Sequence, residues 1–438
     1  MSTFGTKRTF QLGPCLSAND PKRHSTAVSA TLRFCYLLVP GSLWEGWSVR
    51  GIARAALASA LMHSATVFGL TWMVAPALAQ ILSDWKCTGH PEFSWDERIV
   101  GCTNAIKSGK ITAKDLAAAF ESRGNAYFGM RDYDHAVADY TETIRLDPKG
   151  AYAFYDRGIA YQVKGAIDRA IADYTEAIRL DPSYVQAFNN RGAAYLGKGD
   201  LDRASADYTE AIRLDPNYVK AFNNRGAVYR AKGDLDHAIQ DYDQAIRLNP
   251  NEAAGFYYRG AANGMRGEPD RAIEDFDQAL KLNPNHVGAL YGRGLAHSDK
   301  NQWDLAIQDY DQAIKLNPNF VRAISNRGNA YLAKRQYDRA IRDFDQAIKL
   351  DPKEAIPINN RGSAYYQKGQ IDRALQDFDQ ALKLNPHYPD ALNNRGIAYI
   401  GKAQYDRAIQ DFDEALKLNP KDADALKNRA EALAKKSN

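Results

Sequence analysis

An all-α solenoid of stacked helical hairpins is the fold this sequence predicts, and three regularities carry that prediction. Prolines stand at 148, 182, 216, 250, 284, 318, 352, 386 and 420, always 34 residues apart without insertion or deletion. Arg-Gly pairs keep the same beat, from Arg123-Gly124 to Arg395-Gly396. With each proline numbered as position 32, every unit also shows two faces with the i, i+4, i+7 spacing of a helix: positions 4, 8 and 11, then positions 20, 24 and 27.

The chain opens with a basic front. Residues 1–79 hold seven Lys/Arg against two acids, whereas the rest holds 50 bases against 51 acids. The +4 formal charge therefore belongs to the front, and a near-neutral body has no basic face for nucleic acid. Arg50 and Arg54 precede an apolar run from Ala55 to Val74, and Ala77-Leu78-Ala79 offers small residues before Gln80. Residues 49–79 thus have the layout of a secretory signal peptide, predicting export to a periplasmic space and cleavage after Ala79. The alternative is an uncleaved anchor in the inner membrane over residues 52–79, since the apolar run is long for a signal. Membrane contact follows only in that case. Residues 1–48 lack periodicity and read as a poorly ordered extension. They are either an over-long gene call, with translation starting at Val49, or a long cytoplasmic n-region.

Residues 80–116 come next. Cys87 and Cys102 fall close together in the exported part, which makes them a disulfide candidate. No CxxC occurs and the eight His are scattered, so no metal site is expected. Asp96 to Ile106 resembles the second helix of a unit with Cys102 at the position-24 place, which makes this segment a degenerate half-repeat.

Nine units follow: 117–150, 151–184, 185–218, 219–252, 253–286, 287–320, 321–354, 355–388 and 389–422. Position 4 is large and apolar, from Phe120 to Leu392; position 20 is always Ala; position 24 is always aromatic, from Tyr140 to Phe412. Position 27 is Ala except for Thr143. Gly at position 8 and Ala at position 20 let the helix backbones approach closely. Asp at position 18, from Asp134 to Asp406, is expected to cap the second helix, and proline 32 to end it. Residues 423–438 repeat the first helix once more as a solubilising cap.

This 34-residue pattern resembles the tetratricopeptide repeat. The resemblance implies a right-handed superhelical solenoid, with a C-terminal capping helix, that binds protein or peptide ligands. A single hairpin cannot cover its own apolar faces, so its neighbours supply the core.

Two departures stand out. Position 7 is Arg and position 23 is Asp in all nine units, where the family is usually apolar. Their co-occurrence predicts structural ion pairs, among them Arg191, Asp207, Arg225, Asp241, Arg259 and Asp275. Arg429 in the cap has no such Asp in its own unit, which points to pairing mainly across the unit junction. Position 11 is Tyr in seven units but Asn263 and His297 in the fifth and sixth, from drift in a tolerant array or from a hinge or special site.

By the resemblance, positions 2, 5, 6, 9, 12 and 13 line a concave surface. There the sequence carries Asn189, Asn190, Asn223, Asn224, Asn326, Asn359, Asn360, Asn393 and Asn394, with Tyr155, Tyr257 and Tyr291. Such an asparagine row is similar to that of O-linked N-acetylglucosamine transferase, whose amides hold an extended peptide backbone. An amide offers donor and acceptor alike, so it suits any peptide unit. The carboxylate clamp of other family members needs groove lysines in successive units, and only Lys220, Arg322 and Arg230 are available.

The expected function is therefore an envelope scaffold binding an extended peptide or protein segment in the concave groove. The alternative is an architectural part of an envelope or secretion assembly that uses its convex face. No Gly-rich phosphate loop, GxSxG elbow or HExxH occurs. An enzyme, a small-molecule substrate and a cofactor are accordingly not expected.

Overall fold

The computed structural model describes Cys87 and residues 93–437, which form twenty helices and no strand. The signal segment and residues 1–48 lie outside the described residues. Two compact units divide the chain at Leu214 and Asp215.

In the first unit, α1 (Trp95–Ser108) stands alone and is followed by three hairpins: α2 (Ala113–Gly129) with α3 (Tyr133–Leu146), α4 (Ala151–Val163) with α5 (Ile167–Leu180), and α6 (Val185–Gly197) with α7 (Leu201–Leu214). A Ser94–Glu97 capping box starts α1. Cys87 and Cys102 are joined in a disulfide with their Cα atoms 4.5 Å apart, as their spacing predicts.

The second unit holds six hairpins and a last helix. They are α8 (Val219–Ala231) with α9 (Leu235–Leu248), α10 (Ala253–Arg266) with α11 (Pro269–Leu282), and α12 (Val287–Asp299) with α13 (Trp303–Leu316). Then come α14 (Val321–Ala333) with α15 (Tyr337–Leu350), α16 (Ala355–Gln367) with α17 (Ile371–Leu384), α18 (Pro389–Gly401) with α19 (Tyr405–Leu418), and α20 (Ala423–Ser437). No described helix is long and apolar enough to cross a membrane.

Within a hairpin the first helix, A, spans positions 1–13 and the second, B, spans 17–30. The turn between them is a Schellman closure: in α4 the Ala166 N–H reaches the Tyr161 carbonyl at 2.9 Å, with Gly165 left-handed at φ 77°. Four hairpins place a non-glycine at that left-handed position, Ala403 at φ 55° among them. B helices end where proline 32 forces the preceding residue to be extended, as at Asp181 with φ −133° and ψ 93°.

Inside each compact unit, a B helix packs between its own A helix and the A helix that follows it. Ala170 and Tyr174 meet Ala194 of the following hairpin, and Ala408 and Phe412 meet Ala432 of α20. Lower down, Ala177 meets Ala187. Position 8 is Gly because the aromatic ring lies on it: a Cβ on Gly192 would stand 2.9 Å from Tyr208 and one on Gly396 2.6 Å from Phe412.

Two expectations are corrected here. Position 10, not position 11, faces the core; the position-11 tyrosines are half-buried at the edge, as where the Arg203 guanidinium lies 4.6 Å over Tyr195. Asp at position 18 is not the cap, because each B helix starts two residues earlier than that role requires. The N-cap is position 16, where Asp132 and Asp234 accept from the backbone and Ala166 makes no side-chain cap. The position-18 carboxylates sit in the first helical turn and bind the position-14 cation of the next hairpin, as Asp168 does Lys198 at 2.5 Å.

Candidate binding face and the polar seams beneath it

Two polar seams run through each unit. The first joins position 7 to position 23. Arg191 donates from Nε and Nη2 to Asp207 at 2.8 and 2.7 Å, Arg225 does the same to Asp241 at 2.9 and 2.7 Å, and Arg259 grips Asp275. The carboxylates are buried while the guanidiniums keep a partly open edge. This corrects the expected pairing across the junction. A short turn sets positions 7 and 23 at the same height on two antiparallel helices, so the two-pronged bond forms within the hairpin. What crosses the junction is the remaining Nη1, which reaches position 25 of the preceding hairpin: Thr175 from Arg191 at 3.1 Å, and Asp345 from Arg361 at 2.7 Å. Arg429, lacking its own Asp, keeps only that second kind of contact, with Asp413 at 2.5 Å. The Asp207 bond holds the Arg191 guanidinium above its ordinary pKa, outweighing the opposing pull of burial. These cations stay charged, and their carboxylates are compensated.

The second seam is the asparagine row, and it does not lie where the sequence places it. Asn189, Asn223, Asn359, Asn360 and Asn393 are buried, Asn190, Asn224, Asn326 and Asn394 half-buried. Position 5 turns towards the adjoining A helix, and the amides bond to one another instead of standing open. Asn189 donates to Asn190 at 3.1 Å, and Asn190 to the Tyr155 hydroxyl at 3.0 Å. In the second unit Asn326 donates to the Tyr291 hydroxyl at 2.9 Å and Asn360 to Asn329 at 2.8 Å. Asn359 donates to Asn360, Asn394 to Asn359, and Asn428 to Asn393, at 3.1, 3.1 and 2.9 Å. The row is a ladder that ties one A helix to the next. Tyr155 and Tyr291 are its acceptors in place of Asn, and Tyr257 is buried against His286, ring centroids 4.6 Å apart.

Outside the ladder the two surfaces differ in chemistry. The exposed B-helix side is laced with charge: Glu176 with Arg179, Asp338 with Lys368, Glu414 with Lys417. The A-helix side exposes Tyr152 and Val163 in the first unit and Met265 and Ile356 in the second. Sequence reasoning missed Asn329 as a rung and missed what position 12 does. Gln162 and Ser298, both at position 12, satisfy the position-24 hydroxyls of Tyr174 and Tyr310 at 2.7 and 3.0 Å. Part of the signal was present: Gln162, Arg230 and Ser298 stand at position 12 only where position 24 is Tyr, although Phe128 and Leu196 also stand opposite Tyr.

Hairpins that pack neighbour on neighbour and leave one helix side open define a helical-repeat interaction scaffold. Residues 185–218, 219–252, 253–286, 389–422 and 328–393 match models of the tetratricopeptide repeat, and 124–165, 163–199 and 298–334 match a further TPR repeat model. The chain belongs to the tetratricopeptide repeat family. No curated protein matches it. Among solved structures, it is similar to a chain of the APC/C hetero-tetramer Cut9-Hcn1 at 16 % identity, covering 91 % of this chain and 98 % of that one, with a TM-score of 0.50. A tetratricopeptide repeat protein from Parabacteroides merdae matches at 23 % identity over 57 % of this chain and 98 % of its own, TM-score 0.48. MamA matches at 32 % identity over 37 % and 96 %, TM-score 0.35.

Proposed function

We propose that the chain is an exported scaffold that holds an extended polypeptide along its A-helix side. The observation behind this is the contrast between the two surfaces. The B-helix side is a solvated charge lattice, while the A-helix side exposes Tyr152, Val163, Met265 and Ile356 beside half-buried amides. Exposed apolar groups next to hydrogen-bonding groups suit a peptide that buries side chains and pairs its backbone. Because most amides of positions 5 and 6 are engaged in the ladder, contact falls to the exposed side chains of positions 2 and 13 and to the few polar atoms that the ladder leaves open. Export is supported by the Arg-flanked apolar run and by a disulfide just beyond it. N-terminal sequencing of the secreted product is expected to start at Gln80, and a cytoplasmic product ends the export reading.

The architectural alternative has one observation of its own. Leu248, Leu282, Leu316, Leu350, Leu384 and Leu418, all at position 30, remain about 40 % exposed in a row of B-helix ends. Photo-crosslinkers at Ile356 and at Leu384 separate the two readings in envelope extracts. Polypeptide adducts from Ile356 that Met265→Glu abolishes support the groove. Adducts from Leu384 alone favour the architectural role.

A further inference from the structure

One place in the second unit departs from both seams. Where position 24 is Tyr, the A helix supplies a hydrogen-bond partner for Tyr140 (Asn125) and Tyr174 (Gln162), each at 2.7 Å, whereas Tyr208, opposite Leu196, has none. In the hairpin of α8 and α9 position 12 is Arg230, which has only donors to offer. Tyr242 is fully buried there, and its hydroxyl has no hydrogen-bond partner. The Arg230 Nη1 is solvent-excluded and equally unpartnered. So is the Asn223 Oδ1, because position 6 of the next hairpin is Tyr258 and the ladder has no amide to send. The tyrosines form a wall: Tyr242 stacks on Tyr258 at 5.6 Å between centroids, and Tyr257 lies 5.3 Å from Tyr258. Burial pushes the Tyr242 and Tyr257 hydroxyls up in pKa, and the nearby Arg230 charge draws both part of the way back down.

Buried groups of this kind are normally satisfied, and here one cation, one hydroxyl and one amide oxygen are left open together. The geometry points to a carboxylate-binding site on the A-helix side, in which Arg230 and the Tyr242 hydroxyl donate to the carboxylate of a bound polypeptide. This rests on the groove reading above and deepens it. A carboxylate supplies the acceptors that both donors lack, and a lone guanidinium balances a single negative charge. Asn223 sits two helical turns before Arg230, roughly 10.5 Å along α8, which an extended chain spans in about three residues. Its open oxygen therefore accepts a peptide N–H about three residues from the carboxylate. The site differs from a lysine clamp: a B-helix hydroxyl and one arginine do the binding.

The test uses the full chain and fluorescein-labelled hexapeptides of alternating Ala and Ser, read by fluorescence anisotropy at low salt. One ends in a free carboxylate, one in an amide, and one is amidated with a central Glu. The carboxylate peptide is expected to bind at least tenfold more tightly than the plain amide. Arg230→Leu and Tyr242→Phe are each expected to erase that preference. Both keep the fold, because Leu196 and Leu332 occupy position 12, and Phe276 and Phe344 position 24, in other hairpins. Arg322→Leu, which removes a different A-helix cation, is expected to leave the preference intact. Tight binding by the Glu peptide assigns the site to side-chain carboxylates; tight binding by the acid terminus alone assigns it to chain ends. Equal affinity for acid and amide, or a preference that survives Arg230→Leu, overturns the site while leaving the groove. Failure of every peptide to bind overturns both.

Discussion

The hairpins of α16–α17 and α18–α19 and those of α8–α9 and α10–α11 are built on the same 34-residue plan, yet they handle buried polarity in opposite ways. In the former, Asn359, Asn360, Asn394, Asn393 and Asn428 exchange amide bonds from helix to helix. In the latter, Tyr258 stands where the next amide is needed, and Asn223, Arg230 and Tyr242 are left with open groups. The core hardly differs: Ala238 and Tyr242 meet Ala262 as Ala374 and Phe378 meet Ala398. What differs is whether polar groups are used up by the fold. A satisfied ladder rigidifies and has nothing to offer a ligand; an interrupted one keeps unspent hydrogen-bonding capacity at a defined place.

The largest effect that probes this comparison comes from the ion-pair seam. Asp377→Ala in α17 strips the Arg361 guanidinium of its two-pronged partner while leaving Asp345. The expected loss lies near the lower end of the ~3–5 kcal/mol typical of breaking a buried pair. Asp275→Ala in α11 is expected to cost about 1 kcal/mol more, since Asn263 donates to the same carboxylate at 2.9 Å and is orphaned with Arg259. Urea unfolding followed by hydrogen exchange in each hairpin separates the two. Equal losses would mean that Asn263 contributes nothing to the seam.

Next in size is the ladder itself. Asn359→Leu removes both a donor to Asn360 and an acceptor for Asn394, with an expected cost of ~1–3 kcal/mol. The same change at Asn223 deletes an oxygen that already lacks a partner. It is expected to be near neutral in thermal unfolding. A large loss at Asn223 would show that its oxygen is satisfied in solution and would weaken the case for a ligand there.

The sequence made the hairpins legible because their cause is local and repeated. Proline 32 ends each B helix, the Ala and aromatic positions recur at helical spacing, and position 8 is Gly because Tyr208 or Phe412 lies against it. The seams were legible only as residue types. Arg at 7 and Asp at 23 announce a pair, but which Asp each Arg takes depends on the relative height of antiparallel helices, fixed by a turn that periodicity does not measure. Asn at 5 and 6 announces hydrogen bonding, yet helical phase alone does not tell water from the neighbouring A helix. That distinction lies in packing between hairpins. Asp at 18 reads as a cap by composition, and only the true helix start at position 17 moves that role to Asp132 or Asp234 and frees Asp168 for Lys198.

The smallest expected effect bears on the tyrosine rungs. Asn326 donates to the Tyr291 hydroxyl at 2.9 Å, and both side chains are half-buried, so water can partly replace the bond. Tyr291→Phe is therefore expected to lower stability by only ~0.5–1 kcal/mol. Tyr257 occupies the same position one hairpin earlier, but position 6 of the following hairpin is Gly292, so no amide reaches it. Burial pushes its hydroxyl up to about 12, so Tyr257 is neutral near pH 7 and Tyr257→Phe removes no charge. That variant is expected to unfold at the wild-type midpoint in urea at pH 7, while Tyr291→Phe shifts measurably. If both shift alike, the hydroxyls contribute through their own hydration or packing and not as rungs. The contrast between satisfied and interrupted hairpins would then have to rest on asparagine alone.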